Sequence, residues 1–365
     1  MFAAVERRFG RDISNISQPT AGSSLANFPA KQLPRSVAAT CVAPTKVEII
    51  SENGVITCTE EESKESLYSP SSDDECLLSE SSEDEYDDPM TVDENLLYDI
   101  DSMDKHDPFY VTEYVNEIYE YLHLKETELN LSSNYLSEVK TEIKPRQRDI
   151  LVCWMAEIYV ELKLLTETLF LAASIVDRLL SVKSVSLKKL QLVGLGAILL
   201  AAKYEETICI SIKDLKVCAD NAFSEEDILR VERVILKALE FDFSYPSPIV
   251  FLRRYSKAAT ADTLAHTLAK YISELSVTSY EMLEFLPSEI AAASVYMARK
   301  MLKLSPSWTL TLEHYTPYCE PELLPCARAL NQIHLRDFAT ATSALHRKYA
   351  NKRFSFVALI QPCSI

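Results

Sequence analysis

The chain has 365 residues, of which only 5 are glycine, where the usual share would give about 26. Phosphate-cradling loops of the G-x-G-x-x-G and G-x-x-x-x-G-K-[ST] kinds are therefore excluded, and strand-rich folds with tight Gly turns are disfavoured. A net charge of −17 argues against nucleic acid or an anionic membrane as a direct partner.

That charge is unevenly spread. Residues 1–104 hold 7 basic and 22 acidic side chains, and within them 48–104 hold 1 and 20. Runs such as SPSSDDE and SESSEDEYDD offer nothing to build a core from, so 1–104 is expected to be a disordered, acidic regulatory tail. The 9 cysteines are scattered without a C-x-x-C, as suits a reducing compartment. No apolar run approaches the ~20 residues of a membrane span, and no signal-peptide core is seen. A soluble, intracellular protein is expected.

Strong helical periodicity starts near Met103, in a body long enough for two domains. Residues 105–144 read as a lead-in with one short helix, whose Tyr114, Ile118 and Tyr121 fall at i, i+4, i+7 on one stripe. Such a stripe ordinarily packs on its own domain. A helix follows from Pro145 to Leu164, and another over Glu167–Leu180. Leu187–Tyr204 is apolar nearly all round, the mark of a helix buried on most faces. It contains Gly194 and Gly196, each costing up to ~1 kcal/mol against Ala, a cost that closer helix packing would have to offset. Ser224-Glu-Glu-Asp227 starts the next helix with a capping-box pattern. Pro246 and Pro248 then break the chain between domains at 145–246 and 247–355, and 356–365 reads as a short tail. With so few glycines, the body is expected to turn on Pro, Asn and Ser.

The second half repeats the first. LQLVGLGAILLAAK (190–203) aligns without a gap on PSEIAAASVYMARK (287–300), matching Gly194 with Ala291, Gly196 with Ala293 and Lys203 with Lys300. Both look like a central helix with a small-residue face.

QRDILVCW (147–154), LQLVG, AAKYEE and VERVILKALEFDF (231–243) together resemble the cyclin box. FLRRY (251–255), LPSEIAAASVYMARKM (286–301), LEHYTPY (312–318) and ELLPCARAL (322–330) are similar to the C-terminal box of mitotic B-type cyclins, as is the lead-in DIDSMDKHDPFYVTEYVNEIYEYL (99–122). The resemblance covers about two-thirds of the chain. It implies an all-α fold of tandem five-helix cyclin-box domains stacked through their central helices, preceded by an N-terminal helix. It also implies a regulatory subunit, not an enzyme, that needs no cofactor or metal. Such a subunit forms a heterodimer with a cyclin-dependent protein kinase, in nucleus and cytoplasm, and controls entry into mitosis. A-type and other cell-cycle cyclins, and transcription-type cyclins, share the fold.

The resemblance also assigns residues. Lys203 and Glu232, by themselves an ordinary surface ion pair, match the family's kinase-contacting pair. Phe241 and Phe243 match apolar kinase contacts, though core packing would explain them equally. Tyr114, Ile118 and Tyr121 match the helix that lies against the kinase. Ile150, Leu151, Trp154, Glu157, Leu190 and Gln191 match a shallow patch that docks R-x-L peptides of substrates or inhibitors. Here Gln147, Asp149 and Cys153 replace its usual Met, Ala and Asp, so a weakened or altered patch is expected, and Trp154 reads equally well as core. Arg148 is implied to pair with Asp177. RRFGRDISN (7–15) partly matches a destruction box read by a ubiquitin ligase through Arg7, Asp12, Ile13 and Asn15, with Gly10 in place of leucine. Ser69 precedes Pro70 as a phosphorylation candidate.

Other chemistries find no support. DIDSMD (99–104) begins like a Ca²⁺ loop but has Asp104 where Gly is needed and Tyr110 where Glu is needed. The six His show no metal-ligand spacing.

Overall fold

A computed structural model describes residues 97–364, apart from 130, 140 and 141, and among them there is no strand. After a 3₁₀ turn at Pro108–Tyr110, α1 spans Val115–Glu128 and a single turn, α2, spans Tyr135–Glu138. The first bundle is α3 (Pro145–Glu161), α4 (Thr166–Val182), α5 (Leu190–Glu205), α6 (Ile212–Cys218) and α7 (Glu225–Ala238). The second is α8 (Pro248–Ala258), α9 (Thr263–Ser276), α10 (Pro287–Met301), α11 (Leu310–Tyr315) and α12 (Glu320–Thr340), followed by α13 (Ala344–Tyr349). The tandem five-helix plan is present.

Local chemistry sets the boundaries. Pro145, Pro248 and Pro287 each open a helix, where the missing N–H costs nothing. The Ser224 hydroxyl accepts from Asp227 N at 3.1 Å and the Asp227 carboxylate returns the bond, closing the capping box read from sequence. α5 and α10 are each surrounded within their own bundle, α5 by α3, α4 and α7, α10 by α8, α9 and α12. Their aligned segments begin at the first residue of each helix, Leu190 and Pro287, so the internal repeat is a repeat of structure.

The two α5 glycines have separate steric reasons. A Cβ on Gly194 would stand 2.9 Å from Leu151 Cδ1 of α3, and one on Gly196 would stand 2.7 Å from Val231 Cγ1 of α7. Both neighbours approach closer than alanine permits.

Turn chemistry follows the Pro, Asn and Ser expectation only in part. Lys163, Glu240, Thr260 and Lys303 sit at helix C-termini with φ of 53°, 53°, 47° and 60°. Each is followed by an N–H that reaches back to close the last turn, as Leu164 does to Tyr159 O at 3.0 Å and Ala261 to Ser256 O at 2.9 Å. Glycine normally fills this position. An L residue there costs ~1–2 kcal/mol, so at these four ends glycine scarcity is met by strain, while Asn221 after α6 and Ser355 take the left-handed position as expected turn formers.

The bundles do not join mainly through their central helices, as the resemblance implied, because α5 and α10 are already enclosed. They join where α3 meets α13 and the 3₁₀ turn Tyr280–Glu284, and where α4 meets α8. Two buried polar networks cross the junction. Arg148 donates to both oxygens of Asp177 at 3.0 and 2.7 Å and to Val277 O at 2.7 Å, as implied for the first pair. Glu274, fully enclosed, accepts from Tyr159 at 3.0 Å, Thr166 at 2.9 Å, Tyr349 at 2.7 Å and Lys348 at 3.0 Å.

Packed structure begins ahead of residue 105. Ile100 is buried, and Asp101 pairs with Arg254 through both oxygens at 2.5 and 2.7 Å. Lys257 contacts Asp101 and Asp104. Burial raises the Asp101 pKa, but Arg254 and Lys257 outweigh it and hold the carboxyl below its ordinary value.

Candidate functional site: an exposed apolar face beside an ion pair

α1 is fixed by its inner face. Tyr119 donates to Val250 O of α8 at 3.1 Å. The buried Glu126 carboxylate accepts from Ser288 N at 2.9 Å and Ser288 Oγ at 2.6 Å, which places a negative charge at the N-terminus of α10, where the helix dipole favours it. With that face occupied, Tyr114, Ile118 and Tyr121 point outward, 51%, 43% and 53% exposed. The stripe does not pack on its own domain. Sequence reading missed its continuation through Leu124, 65% exposed, and through Phe109 and Val111 ahead of the helix. Leu124 extends the same helical spacing and was findable; Phe109 and Val111 lie outside any periodic element.

Next to this strip lies the segment after α7. Phe241 is exposed, whereas Phe243 is half-buried against the core, so the two alternating aromatics divide between surface and interior. Asp242, between them, accepts from the Ser244 hydroxyl and Ser244 N, which hold its carboxyl below the ordinary value, and Lys125 of α1 lies 5.8 Å from the Tyr121 ring centroid. The Phe243 ring stands 6.2 Å from that of Tyr204 on α5. One residue earlier, Lys203 Nζ donates to Glu232 Oε1 of α7 at 2.5 Å, with the lysine side chain 43% exposed and the glutamate side chain 9%. The Phe243 ring thus ties the 241–243 segment to the end of α5 that carries the ion pair.

The peptide-docking residues are not assembled in the same way. Leu151, Trp154 and Leu190 lie in the core, while Ile150, Glu157 and Gln191 are half-buried. Gly194 is the reason on the Leu151 and Trp154 side, since it lets both side chains settle onto α5. Gln147 is committed to accepting from Lys144 N at 2.7 Å, and Asp149 to accepting from Tyr280 N at 2.7 Å. The partial destruction box at Arg7, Asp12, Ile13 and Asn15, and Ser69, lie outside the described residues. Among the described residues no group of three or more His, Cys, Asp or Glu could hold a metal ion, and no helix is long and apolar enough to cross a membrane.

Comparison with known proteins agrees with the architecture. Residues 117–244 match the model of the cyclin N-terminal domain and 246–363 that of the cyclin C-terminal domain. The chain is 45% identical over 262 residues to a G2/mitotic-specific cyclin-B of Dictyostelium discoideum, covering 72% of this chain and 60% of that one. It is 40% identical over 276 residues to a G2/mitotic-specific cyclin-B of Spisula solidissima, covering 73% and 64%. It thus spans somewhat under two-thirds of the length of these relatives. Among solved structures, a viral cyclin from herpesvirus saimiri superposes with a TM-score of 0.54 at 22% identity, over 59% of this chain and 95% of that one, a likeness of fold. Two adjoining domain matches that together cover the folded body, and a duplicated helical bundle, place the chain in the cyclin family, where the relatives it resembles at 40–45% identity are G2/mitotic-specific B-type cyclins.

Proposed function

We propose that this chain is the regulatory subunit of a cyclin-dependent Ser/Thr protein kinase acting at the entry into mitosis, and that it has no catalysis of its own. The observation that carries this reading is the exposed α1 strip Tyr114, Ile118 and Tyr121, held outward by the bonds of the opposite face; the exposed Phe241 and the Lys203–Glu232 pair are added to it as further contacts. Exposed aromatics held on a fixed helix are suited to anchoring a partner. The carboxylate draws Lys203 into one position at the rim of that face, where its remaining donors can reach the kinase. In this reading the chain binds one of two kinase conformations preferentially, the one with its regulatory helix turned inward, and its differential affinity sets the population. The kinase supplies Mg²⁺ and nucleotide chemistry.

The test is to mix the purified full chain with an inactive mitotic cyclin-dependent kinase and measure complex formation and histone phosphorylation. The expected result is a stable heterodimer and activation, both reduced by Tyr114→Ala with Tyr121→Ala. Neither binding nor activation with any cell-cycle kinase of that class would refute the reading.

Two further roles belong to this proposal. The Ile150, Glu157 and Gln191 edge docks R-x-L segments weakly, and immobilised R-x-L peptide should retain the chain less well than it retains a cyclin with the usual patch. The tail delivers the protein to a ubiquitin ligase at mitotic exit, from a pool shared between nucleus and cytoplasm. Deleting residues 1–20 should lengthen its lifetime there, and an unchanged lifetime would remove that part of the proposal.

A further inference from the structure

The left-handed helix end at 240–241 is unlike those at Lys163, Thr260 and Lys303, which use one such residue each. It uses two in succession, Glu240 with φ 53° and Phe241 with φ 62°. The second left-handed residue is the one whose ring stands exposed, at 68%. Backbone of this kind persists only where its surroundings over-determine it. Part of the determination is local. Phe241 N donates to Leu236 O at 3.1 Å and Asp242 N to Leu239 O at 2.9 Å, while the Asp242 carboxylate accepts from Ser244 N at 3.0 Å.

The rest comes from α4. Arg178 Nη1 donates to the Asp242 carbonyl at 2.9 Å, and its Nη2 lies 3.9 Å from the Asp242 carboxylate. Among the described residues, the one other side chain from outside the segment that hydrogen-bonds to 240–243 is that of the adjacent Ser244, whose hydroxyl donates to the Asp242 carboxylate at 2.5 Å; Arg178 is the one that comes from another helix. The Arg178 side chain is only 12% exposed, so its guanidinium would find little water to replace the Asp242 carbonyl if the turn swung away. Asp177, the preceding residue, faces the interior and holds Arg148. Arg178 therefore rides on a helix turn whose position is set by the inter-bundle junction.

We infer that Arg178 is a positioning residue for the kinase interface: it holds the Asp242 carbonyl so that the doubly left-handed turn presents Phe241 outward as a preformed anchor. This rests on the reading of the exposed face as the kinase-binding face. An anchor fixed before association avoids the ordering cost of a mobile one. Arg178 itself need not touch the partner.

A double-mutant cycle on the full chain tests it, reading the Kd for a purified mitotic cyclin-dependent kinase by surface binding. Arg178→Met should weaken binding about tenfold, close to the loss from Phe241→Ala. In the Phe241→Ala background the same Arg178→Met should change Kd by less than about twofold, whereas in the Lys203→Ala background it should keep its full factor. Arg178→Lys, which retains one donor for the carbonyl, should recover part of the affinity. The inference is overturned if Arg178→Met leaves Kd unchanged while Phe241→Ala weakens it. It is equally overturned if Arg178→Met costs the same factor with and without the Phe241 ring, since a general loss of folded structure would act in both backgrounds. If Phe241→Ala leaves Kd unchanged, what fails is the assignment of Phe241 to the kinase face, and the positioning role falls with it.

Discussion

Lys203 and Glu232, 29 residues apart in sequence, meet at 2.5 Å with the ammonium at the surface and the carboxylate largely enclosed. The asymmetry decides what each substitution does. Removing the lysine leaves a mostly buried carboxylate with no cation. Removing the glutamate frees a lysine that can turn to water.

Lys203→Ala is therefore expected to lower stability by about 1–3 kcal/mol, the cost of an unpaired buried charged acceptor, and Glu232→Ala by less. Lys203→Met combined with Glu232→Leu should recover most of the loss, as replacement of enclosed ion pairs by apolar groups often does. Urea unfolding of the four proteins measures this. Equal losses from the two single alanine variants would show that the exposure difference does not set the energetics. Kinase activation should fall in all three variants, so that stability and activity separate in the double variant.

The inter-bundle junction allows a larger effect. Glu274 is fully enclosed and accepts hydrogen bonds from residues of both bundles. Lys348 neutralises it and lies 4.6 and 4.5 Å from the Tyr159 and Tyr349 ring centroids. Lys348→Met, which keeps the stem and removes the charge, should cost about 3–5 kcal/mol. Because the network is what the bundles share, urea unfolding should also lose cooperativity, with separate transitions for the N- and C-terminal bundles. A single transition with an unchanged midpoint would mean that the junction is held by apolar packing alone.

Glycine use yields paired predictions of opposite sign. Gly196→Ala gains helix propensity of up to ~1 kcal/mol but sets a methyl 2.7 Å from Val231 Cγ1 and 3.1 Å from Ile235 Cδ1. The β-branched valine cannot rotate away freely, so a net loss of about 1–3 kcal/mol is expected. Gly194→Ala meets the end of the more adaptable Leu151 side chain, at 2.9 Å, and should cost less. Thr260→Gly, at a strained left-handed helix end, should stabilise by about 0.5–1 kcal/mol. Thermal midpoints order the three, and a stabilised Gly196→Ala would show that α7 moves aside without cost.

These cases show what was legible in the sequence. Periodicity, prolines at helix starts and the Ser224–Asp227 spacing located the helices, and the repeat located the two central ones. Burial of α5 on all sides was readable because its apolar residues leave no polar face. The functional face was half legible. The Tyr114, Ile118, Tyr121 stripe was visible, but its direction was not, since Tyr119 and Glu126 on the opposite face compete for the core and only their partners Val250 and Ser288 settle the matter. Leu151, Trp154 and Leu190 look alike in sequence whether they line a surface or fill a core, and the closeness permitted by Gly194 decides it. The left-handed residues Lys163, Glu240 and Thr260 carry no sequence signal, because their conformation is imposed by the bundle.

His334 gives the clearest dependence on pH. It is completely buried in the second bundle, with neither ring nitrogen hydrogen-bonded, and its ring meets Tyr271 edge to face at 5.5 Å. Facing it are Asp337 on its own helix and His346 on α13, with His346 Nδ1 3.5 Å from Asp337. Desolvation dominates over the attraction of Asp337 and lowers the His334 pKa to about 4. The unfolded chain binds a proton near the ordinary value of about 6.5, and the folded chain does not until about 4. Above the unfolded value the imidazole is neutral in both states and the effect vanishes. As the pH falls through this window the unfolded state gains protons that the native state refuses, so stability declines, by roughly 3 kcal/mol at its lower end. His334→Leu should remove this component and, by discarding two unsatisfied nitrogens, match or exceed wild-type stability at neutral pH. Urea midpoints for both proteins at intervals across that range give the answer, and parallel declines would assign the acid sensitivity to other groups, such as Asp101 with its lowered carboxyl.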